Sequence, residues 1–337
     1  MSVAIGTSGS TSAPRRIWFH RDYRRLTGGH LKHAHYYDHV NRLQAFERRI
    51  VFGGTPVNSS IEAERSRLWP TSRAELVPEW NPETRDVLFL AGIDWRYLTA
   101  TGLLACEGPR INLIQHVRHA HPGTELRSYL GNRAIRICVS AEVADAISAT
   151  GQVRGPIYTI PNGTDCMPFE PTEEAAAIQL RPERVTIVGY KCPELATDIS
   201  EQLHEERIPH RLLDGFIDRA AFLDCLRRTR IAVCLPRAEE GFYLPALEAM
   251  AAGCIVVTVD CIGNRSFCRH EDNCLVAHPD PQSLVQTIKT TADRSPTDFR
   301  RMLYRARHTV LSHSLESERK RFLGILHTID ELWKDAQ

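Results

Sequence analysis

The 337-residue sequence has little excess charge of either sign, because 42 Lys and Arg residues stand against 41 Asp and Glu residues, a formal net charge of +1. Proteins that bind nucleic acids usually carry a basic excess or a basic face, so we expect no nucleic-acid partner. Long apolar runs are also lacking. The longest, 244–259, contains Pro245, Glu248 and Gly253, which argues against a transmembrane segment. With 42% hydrophobic residues, the composition is that of an ordinary globular protein.

Three common phosphate-binding or metal-binding patterns are absent from the sequence. None of the 20 glycines forms G-x-G, which excludes the usual dinucleotide fingerprint. No G-x-x-x-x-G-K-[S/T] motif occurs, which excludes a P-loop, and no D-x-D pair is present to hold a metal beside a diphosphate. A nucleotide bound by this protein would have to be held by other groups.

The ten cysteines show no pattern of a disulfide framework or a zinc site. They include no C-x-x-C pair, and the close trio Cys261, Cys268 and Cys274 matches no zinc-finger spacing. We therefore expect reduced thiols in a cytoplasmic protein. Residues 1–14 are rich in Ser, Thr, Gly and Ala without a basic start or an apolar core, which predicts a flexible tail rather than a signal peptide.

Short β-branched runs alternate with amphipathic stretches, which is typical of an α/β protein with parallel sheets. The predicted strands are Arg16–His20, Ile50–Gly53, Asp86–Ala91, Ile111–Gln115, Ile135–Val139, Val185–Gly189, Arg211–Asp214, Ile231–Leu235 and Ile255–Val259. Proline and Asn-Gly turn signals concentrate in 155–171, which predicts a domain junction. We expect two doubly wound domains, 15–160 and 161–314, and a C-terminal helix within 315–337 that packs back across them.

The stretch 236–263 is the most informative part of the sequence. It is typical of a strand end, a glycine turn, a helix with Pro245 in its first turn and Gly253 after its last, and another strand. On one continuous helix, Glu240 and Glu248 would lie about 12 Å apart; with Glu240 on the turn, both can face one ligand. Free backbone N–H groups from Phe242 to Leu244 would face an anion. A sugar, a diphosphate and a ribose in a row would satisfy these groups.

The run from Glu240 to Gly253 closely resembles the signature of retaining GT-B glycosyltransferases, in particular family four, the glycogen-synthase-like group. Further similarities are Val139-Ser140, 160–165, 256–260 and 272–276. The resemblance implies a GT-B fold, in which two Rossmann-like, doubly wound domains face an interdomain cleft. It implies that 15–160 binds the acceptor and 161–314 binds a nucleotide sugar.

The resemblance also implies roles for individual residues of the C-terminal domain. Glu248 would bind ribose hydroxyls and Glu240 would hold sugar hydroxyls near the transferring carbon. Lys191, just after the strand that ends at Gly189, would neutralise the diphosphate. The family usually adds an Arg beside this Lys; here Arg237 could supply the missing charge. The other expected donor contacts are the backbone of Gly241, Phe242, Tyr243 and Leu244, and the region of Phe216, which would approach the base.

The N-terminal half carries fewer matches to the family. The pair Gly28-Gly29 matches a glycine pair near diphosphate and acceptor, and His116 matches a histidine near the transferred sugar. The cluster His30, His33, His35 and His39, with Lys32, Tyr36 and Tyr37 nearby, could bind the acceptor or a metal. A group of basic residues surrounds the first predicted strand: Arg15, Arg16, Arg21, Arg24 and Arg25. We expect them to be exposed to solvent around this strand, or else to bind an anionic acceptor or a membrane surface.

These observations predict a retaining glycosyltransferase that moves a sugar from a nucleotide diphosphate sugar to a hydroxyl acceptor. A UDP-sugar is favoured as the donor, and a glycan, lipid-linked or natural-product intermediate is expected as the acceptor. The resemblance implies that no metal or other cofactor is required. Two alternatives remain: a GT-B epimerase or phosphorylase, and a non-catalytic nucleotide-sugar-binding protein. The oligomeric state stays open.

Overall fold

The computed structural model describes residues 13–54, 58–169, 181–215 and 217–336. The chain divides into two compact units, Met1–Ile111 and Asn112–Gln337. Two sequence-based predictions fall on other residues: most of the flexible tail 1–14, and the base contact at Phe216, lie outside the described residues.

The first unit alternates strands and helices. Its elements are β1 (Arg15–Asp22), α1 (Gly28–Val40), β2 (Phe46–Gly53), α2 (Ser59–Leu68), β3 (Val87–Ala91), α3 (Trp95–Ala100) and a short 3-10 helix (Leu103–Ala105). Strand β1 lies parallel to both β2 and β3, with Phe19 opposite Ile50 on one side and Phe89 on the other. These three side chains are fully buried. Burial on both faces explains why the segments 17–19, 50–52 and 87–91 of these strands are apolar.

The second unit begins within β4 (Arg110–Ile114) and continues the alternation. Up to residue 160 its elements are the 3-10 helix Val117–Ala120, α4 (Glu125–Ser128), the 3-10 helix Tyr129–Gly131, β5 (Ile135–Cys138), α5 (Ala141–Ser148) and β6 (Ile157–Thr159). Helix α5 begins after Ser140, whose side chain accepts a hydrogen bond from the Val143 N–H group at 3.3 Å. Gly151 follows the helix with φ +63°, a conformation that favours glycine. Ser140 thus caps the first turn of α5.

The rest of the second unit contains another strand–helix series. Its elements are β7 (Glu183–Val188), α6 (Pro193–Glu205), β8 (Arg211–Leu213), α7 (Arg219–Arg227), β9 (Thr229–Cys234), α8 (Leu244–Ala251), β10 (Ile255–Val259), the 3-10 helix Ile262–Asn264, β11 (Leu275–Ala277), α9 (Pro281–Asp293), α10 (Pro296–Ser312), α11 (Leu315–His327) and α12 (Ile329–Asp335). The inward side chains of β7, β9 and β10 form an apolar core with those of α6, α9 and α10.

The strands form two sheets, with the orders β2-β1-β3-β4-β5-β6 and β11-β10-β9-β7-β8. Every strand pair whose register is described is parallel. In the second sheet the chain moves outward from β7 to β8 on one side and from β9 to β10 and β11 on the other. The carboxyl ends of β7 and β9 therefore flank the point where the strand order reverses, the usual ligand site of an open α/β sheet.

The nine predicted strands are confirmed, with ends that differ by a few residues. Strands β6 and β11 were not predicted from the sequence. Each has three residues, which leaves little periodic pattern to detect, although β8, which is equally short, was predicted. In the part of the chain that the structure describes, no helix is long and apolar enough to cross a membrane.

The predicted domain junction lies, as far as it is described, within the second unit. There the Gly163 N–H group donates to the Glu318 carboxylate at 2.5 Å, and Thr164 pairs with Ser314 in a β-bridge. The expected single C-terminal helix is two helices, α11 and α12, which meet at Thr328. The domain ranges 15–160 and 161–314 stay a prediction.

Candidate active site

The carboxyl ends of β7 and β9 bring together two of the predicted site residues. Lys191 follows β7 and Glu240 follows β9, and the Lys191 Nζ atom lies 3.0 Å from the Glu240 Oε1 atom. The Lys191 side chain is 36% exposed and that of Glu240 is 14% exposed. This ion pair is therefore open to solvent on the side of the lysine.

Arg237 stands beside the same pair. Its Nε atom donates a hydrogen bond to the Lys191 carbonyl oxygen at 3.1 Å, and its side chain is exposed. Gly189, at the end of β7, donates its N–H group to the Leu213 carbonyl oxygen at 2.9 Å and so links this turn to β8. Two cationic side chains thus lie at the carboxyl end of β7, as the sequence analysis expected for an anion site.

The loop that carries Glu240 is held by close backbone contacts on two sides. The Gly263 N–H group donates to the Glu240 carbonyl oxygen at 2.7 Å. A Cβ atom on Gly241 would lie 2.3 Å from the Gln115 carbonyl oxygen, and one on Gly263 would lie 2.1 Å from the Gly241 carbonyl carbon. Since real Cβ atoms do not approach so closely, residues 241 and 263 must be glycine for these three segments to pack.

Helix α8 has the predicted ends. Pro245 lies in its first turn, and Gly253 follows it with φ +74°, a conformation that favours glycine. The backbone donors differ from the prediction of free N–H groups from Phe242 to Leu244: the Tyr243 N–H group donates to the Asn264 side-chain oxygen at 3.2 Å. The prediction is wrong for this group, because a polar side chain from the following turn satisfies it.

The aromatic and apolar residues of this segment are packed rather than open. Phe242 stacks on Phe267 with ring centroids 4.7 Å apart and lies 5.9 Å from the His313 ring. Tyr243 and Leu244 are buried. Their side chains anchor the start of α8, so any donor contact from these residues has to come from the backbone.

Glu248 lies in the middle of α8 with its side chain only 4% exposed. Its Oε1 atom accepts a hydrogen bond from Nη1 of Arg219, the first residue of α7. The Nη2 atom of the same guanidinium lies 2.5 Å from an Asp165 carboxylate oxygen. Burial of a carboxylate is costly without such a partner. Arg219 therefore compensates the charge of the carboxylate that the sequence analysis assigned to ribose.

Tyr190 lies within electrostatic range of both carboxylates. Burial raises the pKa of its hydroxyl, and the charges of Glu248 and Glu240 raise it further. The residue as a whole is 37% exposed. The negative charges of Glu240 and Glu248 therefore both act on the Tyr190 hydroxyl.

His116 lies two residues beyond β4 and begins the 3-10 helix Val117–Ala120. Its Nδ1 atom accepts a hydrogen bond from the Arg118 N–H group at 3.0 Å. Burial and the neighbouring Arg118 lower the pKa of the imidazole to about 4, although Glu240 and Glu239 act in the opposite direction. His116 is therefore neutral at physiological pH.

The predicted sites of the first unit have a mixed outcome. Gly28 and Gly29 open α1, where the Thr27 side chain caps the helix by accepting from the His30 N–H group at 3.3 Å. Lys32, Tyr36 and Tyr37 are fully buried, so the expectation that they contact an acceptor is wrong. They belong to the core side of α1, which sequence periodicity alone did not separate from its polar side.

Of the four histidines in the predicted cluster, His33 and His39 lie in the interior, whereas His30 and His35 are half-buried. His33 is fully buried, and its Nδ1 atom accepts a hydrogen bond from the Trp69 indole at 3.1 Å. His39 is also buried. Among the described residues, no group of three or more His, Cys, Asp or Glu side chains is arranged to hold a metal ion.

Sequence reasoning missed two residues that organise the site, Arg219 and Asn264. Asn264 carries no signal of its own, because its contact with Tyr243 depends on a turn 21 residues away in the sequence. Arg219 did carry a signal. It is a cation at the first position of a helix, where the helix dipole disfavours positive charge, so an acidic partner could have been expected.

Comparison with known proteins gives a family match for part of the chain and several solved structures of similar fold. Residues 172–294 match the model of the family described as Glycosyl transferases group 1. No curated protein sequence matches the chain. Similar solved structures include HepE from Anabaena in complex with UDP-glucose, with a TM-score of 0.70, 14% identity, and coverage of 93% of this chain and 99% of that one.

Two further similar structures are named as synthases. Sucrose-phosphate synthase from Thermosynechococcus elongatus has a TM-score of 0.65 and 13% identity, with 94% of this chain and 99% of that chain covered. The trehalose 6-phosphate synthase of Burkholderia multivorans has a TM-score of 0.63 and 12% identity, again with 94% and 99% covered. The predicted resemblance is confirmed: residues 172–294 match the model of the group 1 glycosyl transferases, and the chain that contains them has the GT-B fold.

Proposed function

We propose that the protein is a retaining glycosyltransferase that moves a sugar from a nucleoside diphosphate sugar to a hydroxyl acceptor. The observation that carries the proposal is a pair of carboxylates, each matched with a cation. Glu240 pairs with Lys191 and Glu248 pairs with Arg219, all at the end of the sheet where ligands bind. The match to the glycosyl transferases over 172–294 supports the same reaction.

The two carboxylates suit the two ends of such a donor. Glu248 is buried and held by Arg219, and we assign it to the ribose hydroxyls. Glu240 lies on the loop beside Lys191, and we assign it to hydroxyls of the transferred sugar. Hydrogen bonds between a charged carboxylate and a hydroxyl contribute about 1.5–3 kcal/mol each. Between them, Lys191 and Arg237 supply positive charge for the diphosphate.

The transfer breaks the bond between the anomeric carbon and the diphosphate oxygen, and the acceptor hydroxyl oxygen forms the new bond on the same face of the sugar. The acceptor proton leaves with the departing diphosphate. Lys191 and Arg237 stabilise the negative charge that grows on this leaving group. We expect no metal or cofactor to be required, as the resemblance implies. His116, neutral at physiological pH, is suited to a hydrogen bond with a sugar hydroxyl.

A UDP-sugar is the favoured donor. The support is the structural similarity to HepE of Anabaena, whose structures contain UDP-glucose, UDP, or UDP with glucose. For the acceptor we propose a glycan, a lipid-linked intermediate or a natural product. Gly28 and Gly29, at the start of α1, are the proposed backbone contacts from the first unit. We propose a cytoplasmic location for the reaction.

The proposal is tested first by thermal unfolding with UDP, GDP, dTDP and ADP. A nucleotide that binds the native state raises the Tm in proportion to its affinity and concentration. We expect the largest increase with UDP. No increase with any of the four would contradict the nucleotide assignment.

The stereochemistry and the reaction class are tested next, with UDP-glucose and an acceptor panel. Proton NMR of the product should show the anomeric configuration of the donor, as retention requires. Inversion would overturn the proposed mechanism. A donor epimer formed without acceptor would identify an epimerase, and binding without turnover would favour a non-catalytic protein.

A further inference from the structure

Glu248 is a buried carboxylate that the proposed function requires in its ionised form. A protonated carboxyl group loses half of its capacity to accept hydrogen bonds from ribose hydroxyls, and burial favours protonation. The surroundings of Glu248 must therefore include a positive charge that stays in place when no donor is bound. The guanidinium of Arg219 supplies it.

We infer that Arg219 is the positioning residue of the donor site, which keeps Glu248 ionised and oriented toward the ribose and anchors it to Asp165. This inference rests on the proposed function. Arg219 acts through Glu248, so it need not touch the donor itself.

The Arg219 guanidinium bridges two carboxylates, an arrangement that we call the fork. One terminal nitrogen of Arg219 donates to Glu248 and the other lies 2.5 Å from Asp165. The planar guanidinium holds both acceptors in fixed directions, whereas a lysine ammonium would be a single point charge. Asp165 is 45% exposed and Glu248 is 4% exposed, so the fork joins a surface residue to a buried one.

The position of Arg219 in the chain supports a functional reason for its presence. It is the first residue of α7, directly after Asp218, whose side chain caps the helix by accepting from the Ala220 N–H group at 2.9 Å. A cation there is disfavoured by the helix dipole. Burial also lowers the pKa of the guanidinium, but the charges of Glu248 and Asp165 raise it above its usual value. The site compensates these costs through the two carboxylates.

A series of variants tests this role by calorimetric titration with UDP at pH 7.5. Arg219→Gln should weaken UDP binding by about tenfold or more, since it removes the cation and the fork. Arg219→Lys keeps the charge and should recover part of the affinity. Asp165→Asn should have a smaller effect, because Glu248 keeps its partner. The matched control is Arg227→Gln at the exposed end of the same helix, which should bind UDP like the unmodified protein.

The pH dependence separates positioning from a general loss of structure. In Arg219→Gln the buried Glu248 carboxyl takes up a proton at a higher pH than in the unmodified protein. UDP affinity should therefore rise more steeply between pH 6 and pH 8.5 in Arg219→Gln than in Arg227→Gln, while Arg219→Lys should follow the control. A structural role alone would lower affinity equally at every pH.

The outcomes distinguish this inference from the proposed function. If the unmodified protein binds UDP and Arg219→Gln binds it equally well with the same pH profile, the positioning role is wrong and the proposed function stands. If Arg219→Lys binds UDP as weakly as Arg219→Gln at all pH values, the positive charge of residue 219 is not what positions Glu248. If the unmodified protein binds none of the four nucleoside diphosphates, the proposed function itself fails.

Discussion

Glu240 and Glu248 are both paired with a cation, but their surroundings differ. Glu240 lies on a loop, and its partner Lys191 is 36% exposed. Glu248 lies within a helix and is almost completely buried, and its partner Arg219 is held in turn by Asp165. The first pair can exchange a partner for a ligand at little cost, because solvent already screens it. The second pair cannot, since separation would leave a buried charge uncompensated.

This difference suits the two ends of one donor molecule. The transferred sugar has to be bound and released in every catalytic cycle. The ion pair of Glu240 and Lys191, which is partly exposed to solvent, is suited to this reversible binding. The nucleotide part of the donor is bound in the same way in every cycle. A carboxylate with a fixed orientation, such as Glu248, is suited to that task. Each prediction below changes one side of this comparison, in order of decreasing effect.

The largest effect is expected for Glu240→Ala. Removal of this carboxylate should lower kcat by about 10³-fold or more, because it orients the sugar at the reacting carbon. The fold should be retained, since an ion pair this close to solvent contributes about 1 kcal/mol or less. Steady-state kinetics and the Tm measure the two quantities. Full activity in Glu240→Ala would end this assignment.

Gly241→Ala should misplace the same loop without removing a charge. The new Cβ atom would lie 2.3 Å from the Gln115 carbonyl oxygen, so the loop or the facing turn must move. A shift of about 1 Å can lower kcat by about 10²-fold. The matched control is Gly324→Ala in α11, where a Cβ atom meets nothing within 4 Å. It should be fully active with an unchanged or raised Tm. Equal activity of both variants would show that the loop contact is unimportant.

Lys191→Gln and Arg237→Gln compare the two cations of the diphosphate site. Lys191 pairs directly with Glu240, so its removal should lower kcat by about 10²-fold. The Arg237 side chain is exposed and donates a hydrogen bond to the Lys191 carbonyl oxygen, not to a carboxylate, so its removal should lower kcat by about threefold to tenfold. Initial rates of both variants at several ionic strengths show which substitution lowers activity more. A larger loss for Arg237→Gln would make it the principal anion contact.

The smallest effect concerns His116, which lies beside the Glu240 loop. Its pKa is about 4 in the native state and about 6.5 when unfolded, so the unfolded chain binds more protons between these values. Stability should therefore fall as the pH decreases from 6.5 toward 4.

His116→Asn keeps a side-chain acceptor for the Arg118 N–H group and removes the titration. Its loss of Tm between pH 7 and pH 5 should be smaller than that of the unmodified protein by about 1–2 °C. Differential scanning calorimetry at both pH values measures this. An equal or larger loss in His116→Asn would mean that the pKa of His116 is not lowered in the native state.

Most of the backbone around the site could be predicted from the sequence. Pro245 and Gly253 mark the ends of α8 through local conformational preferences, and the β-branched run 255–259 marks β10. Glu240 and Lys191 were each expected just after a strand, and the structure places these strands side by side and joins the two residues. Local patterns are sufficient for these features because they depend on neighbouring residues.

The contacts that could not be predicted are those between distant segments. Arg219 reaches Glu248 across 29 positions and Asp165 across 54. The burial of Lys32 depends on which side of α1 faces the sheet, and its sequence is polar on both sides. Side-chain pairing of this kind follows from the packing of helices, which a sequence pattern of charged residues does not specify.

The most direct test of the two-carboxylate account is a calorimetric comparison of UDP and UDP-glucose in Glu240→Gln and Glu248→Gln. Glu248→Gln should weaken both ligands by the same factor, because both contain the ribose. Glu240→Gln should leave the affinity for UDP unchanged and weaken UDP-glucose alone. If Glu240→Gln weakens UDP as much as UDP-glucose, or if Glu248→Gln changes neither, the two carboxylates do not bind opposite ends of one donor.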